Sequence, residues 1–308
     1  MKYLVTGGAG FIGSHLVEAL LAQGHQVKVF DNFSTGKREN LAPLPDWLEI
    51  INDDIANEQA LQETCAGVDG IFHLAAVVSV PLSIEKPAEC SRTNALGTVN
   101  VFEAARKTKV PRVVYASSAA IYGDNPNLPL SEAEIPAPLS PYGLDKWYGE
   151  NVAHMYSRLH GVASAGMRFF NVYGPRQDPK SPYSGVISIF MEAARQEKEL
   201  TIFGNGEQSR DFIYVKDVVT AMQLAMSNPS IRAEVFNVAS GTAITLNQLV
   251  ETMGTSLHKS IRKKYLPPRA GDIVKSTADI SRIRSVLGFS TRYSLADGLK
   301  ATFESLSG

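Results

Sequence analysis

Short apolar, β-branched runs alternate with longer stretches of helical period through the first half of the chain, the pattern of βαβ units and a parallel sheet. Tyr3 to Thr6, Gln26 to Asp31, Leu48 to Ile51, Gly70 to Leu74, Arg112 to Ser117 and Ser164 to Phe169 read as strands, each ending at turn or small residues. Between them Leu16, Leu20 and Leu21 recur at helical spacing within 13–22, and Leu96, Val99, Val101, Phe102 and Ala105 within 93–107. Such helices cover the faces of the sheet.

Beyond Asn171 the texture shifts to Pro, Gly and polar clusters, Gly174 to Pro179 and Phe203 to Gly206, with shorter periodic segments between them. A smaller second lobe is expected there. Glu234 to Val238 reads as a strand returning to the large sheet, so the expected division is 1–170, rejoined by about 215–240, and 171–308 for the smaller lobe. Asp279 to Leu287 stops at Gly288, and Ser294 caps a last helix through Leu295, Leu299 and Phe303.

Composition narrows the partners. Thirty Lys plus Arg against 31 Asp plus Glu give a formal charge of −1, so no global field holds a nucleic acid or an anionic membrane. Cys65 and Cys90 form no CxxC pair, which favours a reducing compartment, and the histidines include no HExxH, so no metal is expected. The longest purely apolar stretch is Leu74 to Val78, too short for a membrane span, and the opening Met1 to Val5 is too short for a signal peptide. A cytoplasmic protein is the expectation.

Gly8-Ala9-Gly10-Phe11-Ile12-Gly13 is a GxGxxG placed directly after a strand and opening a helix. Glycines there allow a tight turn and close backbone approach to a pyrophosphate, whose charge meets the N–H groups of the helix start. Asp31, 18 residues after Gly13, ends the next strand, where a carboxylate accepts ribose hydroxyls and repels a 2′-phosphate. With Asn rather than Arg at position 32, NAD is expected over NADP, although Lys37 and Arg38 lie nearby. The fold class expected is α/β, a Rossmann-type doubly wound parallel sheet with a smaller C-terminal α/β substrate lobe.

Tyr142 and Lys146 stand at i and i+4 near the start of a helix opened by Ser140-Pro141, hence on one face. A cation beside a phenol lowers its pKa and makes it usable as a base. A YxxxK alone is a weak signal, and each residue alone has a plain structural reading. Here Ser117-Ser118 also closes the fifth strand, where open α/β sheets place their ligands.

At these residues the chain resembles the extended short-chain dehydrogenases/reductases, and among them the nucleotide-sugar 4-epimerases, closest to the UDP-N-acetylglucosamine 4-epimerase type. The resemblance rests on Thr6 to Ser14, Asp31-Asn32, Asp54-Ile55, His73 to Ala76, Ser117 to Gly123, Ser140 to Lys146, Arg168 to Pro175, Ser209 to Phe212 and Arg269 to Asp272. It implies catalytic Ser118, Tyr142 and Lys146. It implies an NAD site of Gly7, Gly10, Phe11, Ile12, Gly13, Asp31, Asn32, Ser34 and Gly36, with Asp54, Ile55, Leu74, Ala75, Ala76, Asn94, Tyr142, Lys146 and Phe169.

The UDP-sugar site implied in the same way takes Ser79, Val80, Ser118, Tyr142, Asn171, Val186, Phe203, Arg210, Arg269, Asp272 and Ser276. Ala119 and Ala120 follow Ser118 where related dehydratases and decarboxylases carry acid/base carboxylates, which favours epimerisation at C4. Ser276 leaves room for an acetamide at a position where a Tyr accompanies restriction to non-acetylated sugars, whereas Val78 stands where that type has glycine. UDP-glucose or UDP-glucuronate epimerisation, another nucleotide-sugar oxidoreduction and a non-catalytic NAD-binding regulator are the alternatives. A homodimer through the helices at 95–107 and 143–159 is also implied, with Val101, Phe102 or Met155 at its core.

Overall fold

A computed structural model describes residues 1–45, 47–179, 185–268 and 273–306. Seven strands form the main sheet: β1 (Lys2–Thr6), β2 (Gln26–Phe30), β3 (Glu49–Ile51), β4 (Gly70–His73), β5 (Arg112–Ser118), β6 (Ala163–Phe169) and, numbered in chain order, β10 (Ala233–Val238). Their spatial order is β10-β6-β5-β4-β1-β2-β3, and the pairs from β3 across to β6 are parallel. The order reverses between β1 and β4, and the crevice beyond the carboxyl ends at such a point is where open α/β sheets bind ligands.

The strands are apolar on both faces because helices cover both. The helices that follow are α1 (Phe11–Ala22), α2 (Glu58–Cys65), α3 (Val80–Glu85), α4 (Pro87–Ser91), α5 (Gly97–Thr108) and α6 (Pro141–His160). Leu4, Phe30, Ile71 and Val113 from the sheet pack with Leu61 of α2, Val101 and Phe102 of α5, and Val152 and Tyr156 of α6. Cys65 belongs to this cluster as an ordinary core residue, and Cys90 is buried in α4. Fully burying an aliphatic or aromatic side chain of this kind contributes about 1.5–3 kcal/mol.

Two features of the helices depart from the sequence reading. The expected helix over 93–107 begins as a wide π turn, Arg92–Leu96, before α5 continues as an ordinary helix. Such turns carry an extra residue that apolar periodicity does not register. Val101 and Phe102, expected at an exposed dimer face, are fully buried in the core, while Met155 is 45% exposed. Phe102 meets Tyr115 of β5 edge to face with ring centres 5.8 Å apart, and Val101 packs into the same core cluster.

The chain divides into two compact units, Met1–Gly123 with Ile135–Phe169 and Val219–Phe236, and Asp124–Glu134 with Phe170–Val218 and Asn237–Gly308. Residues 124–134, read in sequence as part of the first, therefore belong with the second, where Leu130 bridges Ala278 and Asn237 donates to the Leu130 carbonyl. The remaining helices are α7 (Val186–Arg195), α8 (Val215–Ser227), α9 (Leu246–Leu257), α10 (Ser281–Leu287) and α11 (Leu295–Ser305). The second unit contains a three-stranded sheet, β11 (Ala243–Thr245), β9 (Ser209–Tyr214) and β7 (Asn171–Tyr173), and a parallel pair, β8 (Leu200–Phe203) with β12 (Lys263–Leu266). As expected, α10 stops at Gly288 in the left-handed region, and the Ser294 hydroxyl caps α11 by accepting from Asp297 N–H.

Candidate active site

The glycine-rich turn joins β1 to α1 at the sheet's reversal point. Gly7 has φ +69°, and a Cβ on it would lie 2.6 Å from the Ala75 nitrogen. A Cβ on Gly13 would collide with the Gly7 carbonyl. Neither position admits a side chain, and the first N–H groups of α1, at Phe11 and Ile12, are helix donors left for an anion. The close packing of Ala75 on Gly7 brings the loop after β4, Leu74 to Ala76, beside the turn.

Asp31 follows β2 and is buried. Its Oδ2 accepts from Ala9 N–H at 2.9 Å and its Oδ1 from Phe33 N–H at 2.8 Å, so the carboxylate ties the glycine turn to the end of β2. A side chain on Gly36 would strike that carboxylate at 2.8 Å. Asn32 donates to Asp54 at 2.6 Å, Ser34 N–H donates to the Asn32 side chain, and the Arg38 guanidinium lies 4.1 Å over the Phe33 ring. The Ile55 side chain joins the core, and its carbonyl accepts from Asn100. A glycine cradle with free helix N–H groups and an acidic group one strand away fits a dinucleotide's pyrophosphate and adenosine ribose.

Ser118, Tyr142 and Lys146 come together at the ends of β5 and α6. Ser140 caps α6, its hydroxyl accepting from Gly143 N–H at 3.1 Å, and this sets Tyr142 and Lys146 on the first two turns. The Ser118 hydroxyl accepts from Ala120 N–H at 3.1 Å and lies near enough to the Tyr142 phenol to lower its pKa. The Lys146 ammonium donates to the Ala116 carbonyl at 2.9 Å and lies 5.7 Å from the centre of the Tyr142 ring. Phe169 pairs directly opposite Ser118 on β6.

Burial sets the acidities of this group. It pushes the Lys146 ammonium down to about 8, although the neighbouring Asp145 carboxylate opposes the shift. Burial raises the Tyr142 phenol, and the Ser118 hydrogen bond acts in the opposite direction. Spacing alone led to a lowered phenol pKa; within the protein, desolvation of the phenolate outweighs that effect.

Several supporting residues carry no role in the sequence reading. Glu150, one turn beyond Lys146, accepts from Ser117 Oγ at 2.6 Å and from two Arg168 nitrogens at 2.9 and 2.8 Å. Arg168 also donates to the Tyr122 hydroxyl at 2.8 Å, so a buried cluster joins β5, β6, α6 and the turn at Ala119–Tyr122. The signal was present: Tyr142, Lys146 and Glu150 recur every fourth residue on one helix stripe.

Asn94, expected at the cofactor, uses its amide on the loop after β4: Oδ1 accepts from Val77 N–H at 2.8 Å and Nδ2 donates to Val77 O at 3.0 Å. Ser79 caps α3, accepting from Leu82 N–H at 2.9 Å, with Val80 beginning the helix. His73 is held between Thr6 at 2.8 Å and Thr98 at 3.2 Å. Thr98 already donates to the Asn94 carbonyl, so His73 donates from Nε2 and accepts at Nδ1. Burial, with the Lys146 charge, pushes His73 down to about 3 and keeps it neutral.

In the second unit, Asn171, Arg210 and Ser276 gather along β9. Asn171 starts β7 opposite Phe212 and donates to the Asp211 carbonyl at 3.1 Å. Arg210 donates to the Ser209 carbonyl at 2.9 Å, and Ser276 N–H donates to the same oxygen at 3.1 Å. The buried Asp211 carboxylate accepts from the Ser240 hydroxyl and the N–H groups of Ser240, Gly241 and Ala278, fixing the loops on either side. Val186 opens α7 and Phe203 ends β8. Arg269 and Asp272 lie outside the described residues.

Residues 3–239 match the family described as the NAD dependent epimerase/dehydratase family. The chain belongs to that family. It is an NAD-dependent enzyme of the extended short-chain dehydrogenase/reductase kind. A UDP-glucose 4-epimerase of Mycolicibacterium smegmatis is 39% identical over 310 residues, covering 99% of this chain and 98% of the relative. Among solved structures, a UDP-N-acetylglucosamine 4-epimerase from Methanobrevibacter ruminantium, in complex with UDP-N-acetylmuramic acid, superposes with a TM-score of 0.95 at 39% identity, covering 99% and 98% of the two chains. A UDP-glucose 4-epimerase from Thermotoga maritima with UDP-glucose has a TM-score of 0.94 at 40% identity and covers 100% and 99%.

Proposed function

We propose that this protein is an NAD-dependent UDP-sugar 4-epimerase that interconverts UDP-GlcNAc and UDP-GalNAc through a 4-keto sugar. The observation that carries the chemistry is the set of Ser118 beside Tyr142, with Lys146 on the same helix face and no carboxylate at positions 119 and 120. Tyr142 takes the proton of the sugar 4-hydroxyl and returns it after the 4-keto sugar has turned its other face. Ser118, whose oxygen accepts from Ala120 N–H, has its O–H left to donate to the reacting oxygen or to the phenolate. Lys146 holds the phenolate electrostatically from its anchor on Ala116. NAD, held by the glycine turn and Asp31, supplies the hydride acceptor and, in its oxidised form, a positive ring. Alanines at 119 and 120 leave no acid or base there for elimination from C5 and C6.

Asn171 and Arg210, with Arg269 and Asp272, take the UDP moiety in this reading, and the small Ser276 accommodates the acetamide. Likeness to the Methanobrevibacter enzyme supports the acetylated sugar. The second reading, UDP-glucose with UDP-galactose, is favoured by the Mycolicibacterium and Thermotoga relatives and by Val78, which is 66% exposed on the loop after β4. The first unit then serves NAD and the second the sugar nucleotide. A homodimer through α6 uses Leu144, Tyr148, Met155 and Leu159, whose spacing makes one exposed stripe, in place of Val101 and Phe102.

The deciding experiment incubates the purified protein with UDP-GlcNAc and no added NAD. UDP-GalNAc should form on NAD that co-purifies, and a 6-deoxy-4-keto sugar or a pentose as product would refute the reaction. A larger kcat/KM for UDP-Glc than for UDP-GlcNAc would transfer the assignment to the second reading.

A further inference from the structure

The backbone N–H of Tyr142 lies in the first turn of α6, where a helix has no partner of its own for its donors. Ser140 caps the next donor, Gly143. Tyr142 N–H instead donates to the Ser83 hydroxyl at 3.1 Å, across 59 residues of chain. Ser83 is fully buried on α3, and its hydroxyl donates in turn to the Val80 carbonyl at 2.7 Å. Both capacities of the hydroxyl are engaged, one on the base's own peptide and the other on the turn that begins at Ser79 and Val80.

The same segment has a second attachment to α6. Ser91 donates to the Asp145 carboxylate at 2.8 Å, and Asn94 fixes Val77 on both sides of its peptide. Residues 77–94 are therefore fastened to the catalytic helix at two points, at the peptide of Tyr142 and one turn later at Asp145. Only the first point bears directly on the position of the base.

Resting on the reading of Tyr142 as the base, we propose that Ser83 is a positioning residue that sets the Tyr142 phenol against Ser118 and couples that placement to the Ser79–Val80 turn. Loss of the hydroxyl leaves the Tyr142 N–H unpaired in a buried site and frees the first turn of α6 to shift. The Ser118 bond then weakens, and so does its stabilisation of the phenolate. Burial raises the pKa of the phenol and the Ser118 hydroxyl at the end of β5 lowers it, while Lys146, 5.7 Å from the ring centre on the same helix, is the cation beside it and also acts on His73 of β4. Asp145 acts on Lys146 from the same helix.

The test measures kcat and KM for the sugar nucleotide against pH for NAD-loaded Ser83→Ala, Ser83→Cys and Ser91→Ala, beside Tyr142→Phe. In Ser83→Ala, kcat should fall roughly tenfold with KM changed less than about twofold, and the acid limb should move to higher pH. Ser83→Cys keeps the volume and a weak acceptor, so its loss should be intermediate, and it decides the matter if Ser83→Ala does not fold. Ser91→Ala should lower the melting temperature and leave the acid limb in place. A wild-type kcat and acid limb in Ser83→Ala, or an equal shift in Ser91→Ala, overturns the proposal. If Tyr142→Phe itself remains active, the underlying assignment of the base fails instead.

Discussion

The glycine turn and the Ser118, Tyr142, Lys146 set lie in the same unit but are built by opposite means. The turn is defined by what is missing. Gly7 and Gly13 have no room for a Cβ, and what the turn offers a ligand is backbone N–H groups. The Ser118, Tyr142, Lys146 set is defined by side chains, and its two helix members are held by partners distant in sequence, Lys146 by Ala116 and Tyr142 by Ser83, with the surrounding elements held by Glu150 and Arg168. A backbone site is specified locally, whereas a side-chain site requires the fold to be complete.

Four changes separate the two, taken from the largest effect. Tyr142→Phe removes the acid/base group alone, so kcat should fall about 10³-fold while bound NAD and melting temperature stay unchanged. Near-normal turnover would remove the phenol from the chemistry. Arg168→Met leaves Glu150 as an uncompensated buried charge, and denaturant unfolding should show a loss of about 3–5 kcal/mol. A loss under about 1 kcal/mol would mean that the cluster does not hold the catalytic elements.

Gly13→Ala strikes the other half. Overpacking against Gly7 should cost about 1–3 kcal/mol and strip the co-purifying NAD, seen as a lower absorbance ratio of 260 to 280 nm, while Lys146 keeps its bond to Ala116. Retained NAD would show that the turn can open without losing its function. The last effect is pH. Burial holds Lys146 down to about 8, so its ammonium is lost as pH rises through that value, and kcat should be roughly tenfold lower one pH unit above it. A profile flat through this range would exclude the ammonium as the group that holds the phenolate.

The same contrast explains what could be read from the sequence. β1, α1 and Asp31 were legible because GxGxxG, a helix start and an acid 18 residues on are consecutive local signals. The strand set was legible because strands buried on both faces keep near-continuous apolar runs. Tyr142 and Lys146 were legible as an i, i+4 pair, but Ser83 was not, because nothing in a serine 59 residues away marks it as the acceptor of that peptide. Val101 and Phe102 illustrate the limit of periodicity. It finds an apolar face without saying whether the neighbour is another part of the chain or a second copy. The second unit was the least legible, since Asn171, Arg210 and Ser276 meet only through β9.

The π turn at Arg92–Leu96 has an evolutionary consequence. It is equivalent to one inserted residue in an otherwise continuous helical stretch from Pro87 to Thr108. Because such a turn absorbs its extra residue locally, deleting one residue there would return the stretch to an unbroken α-helix without the rotation of about 100° that a deletion from a regular helix imposes on all that follows. Val101 and Phe102, beyond the turn, would keep their place in the core, and the local change would fall on the turn that holds Asn94 against Val77. The turn is thus the point of this helical stretch where the chain length can change by one residue with the core contacts of α5 kept, and what such a change alters is the loop beside α6 that Asn94 holds.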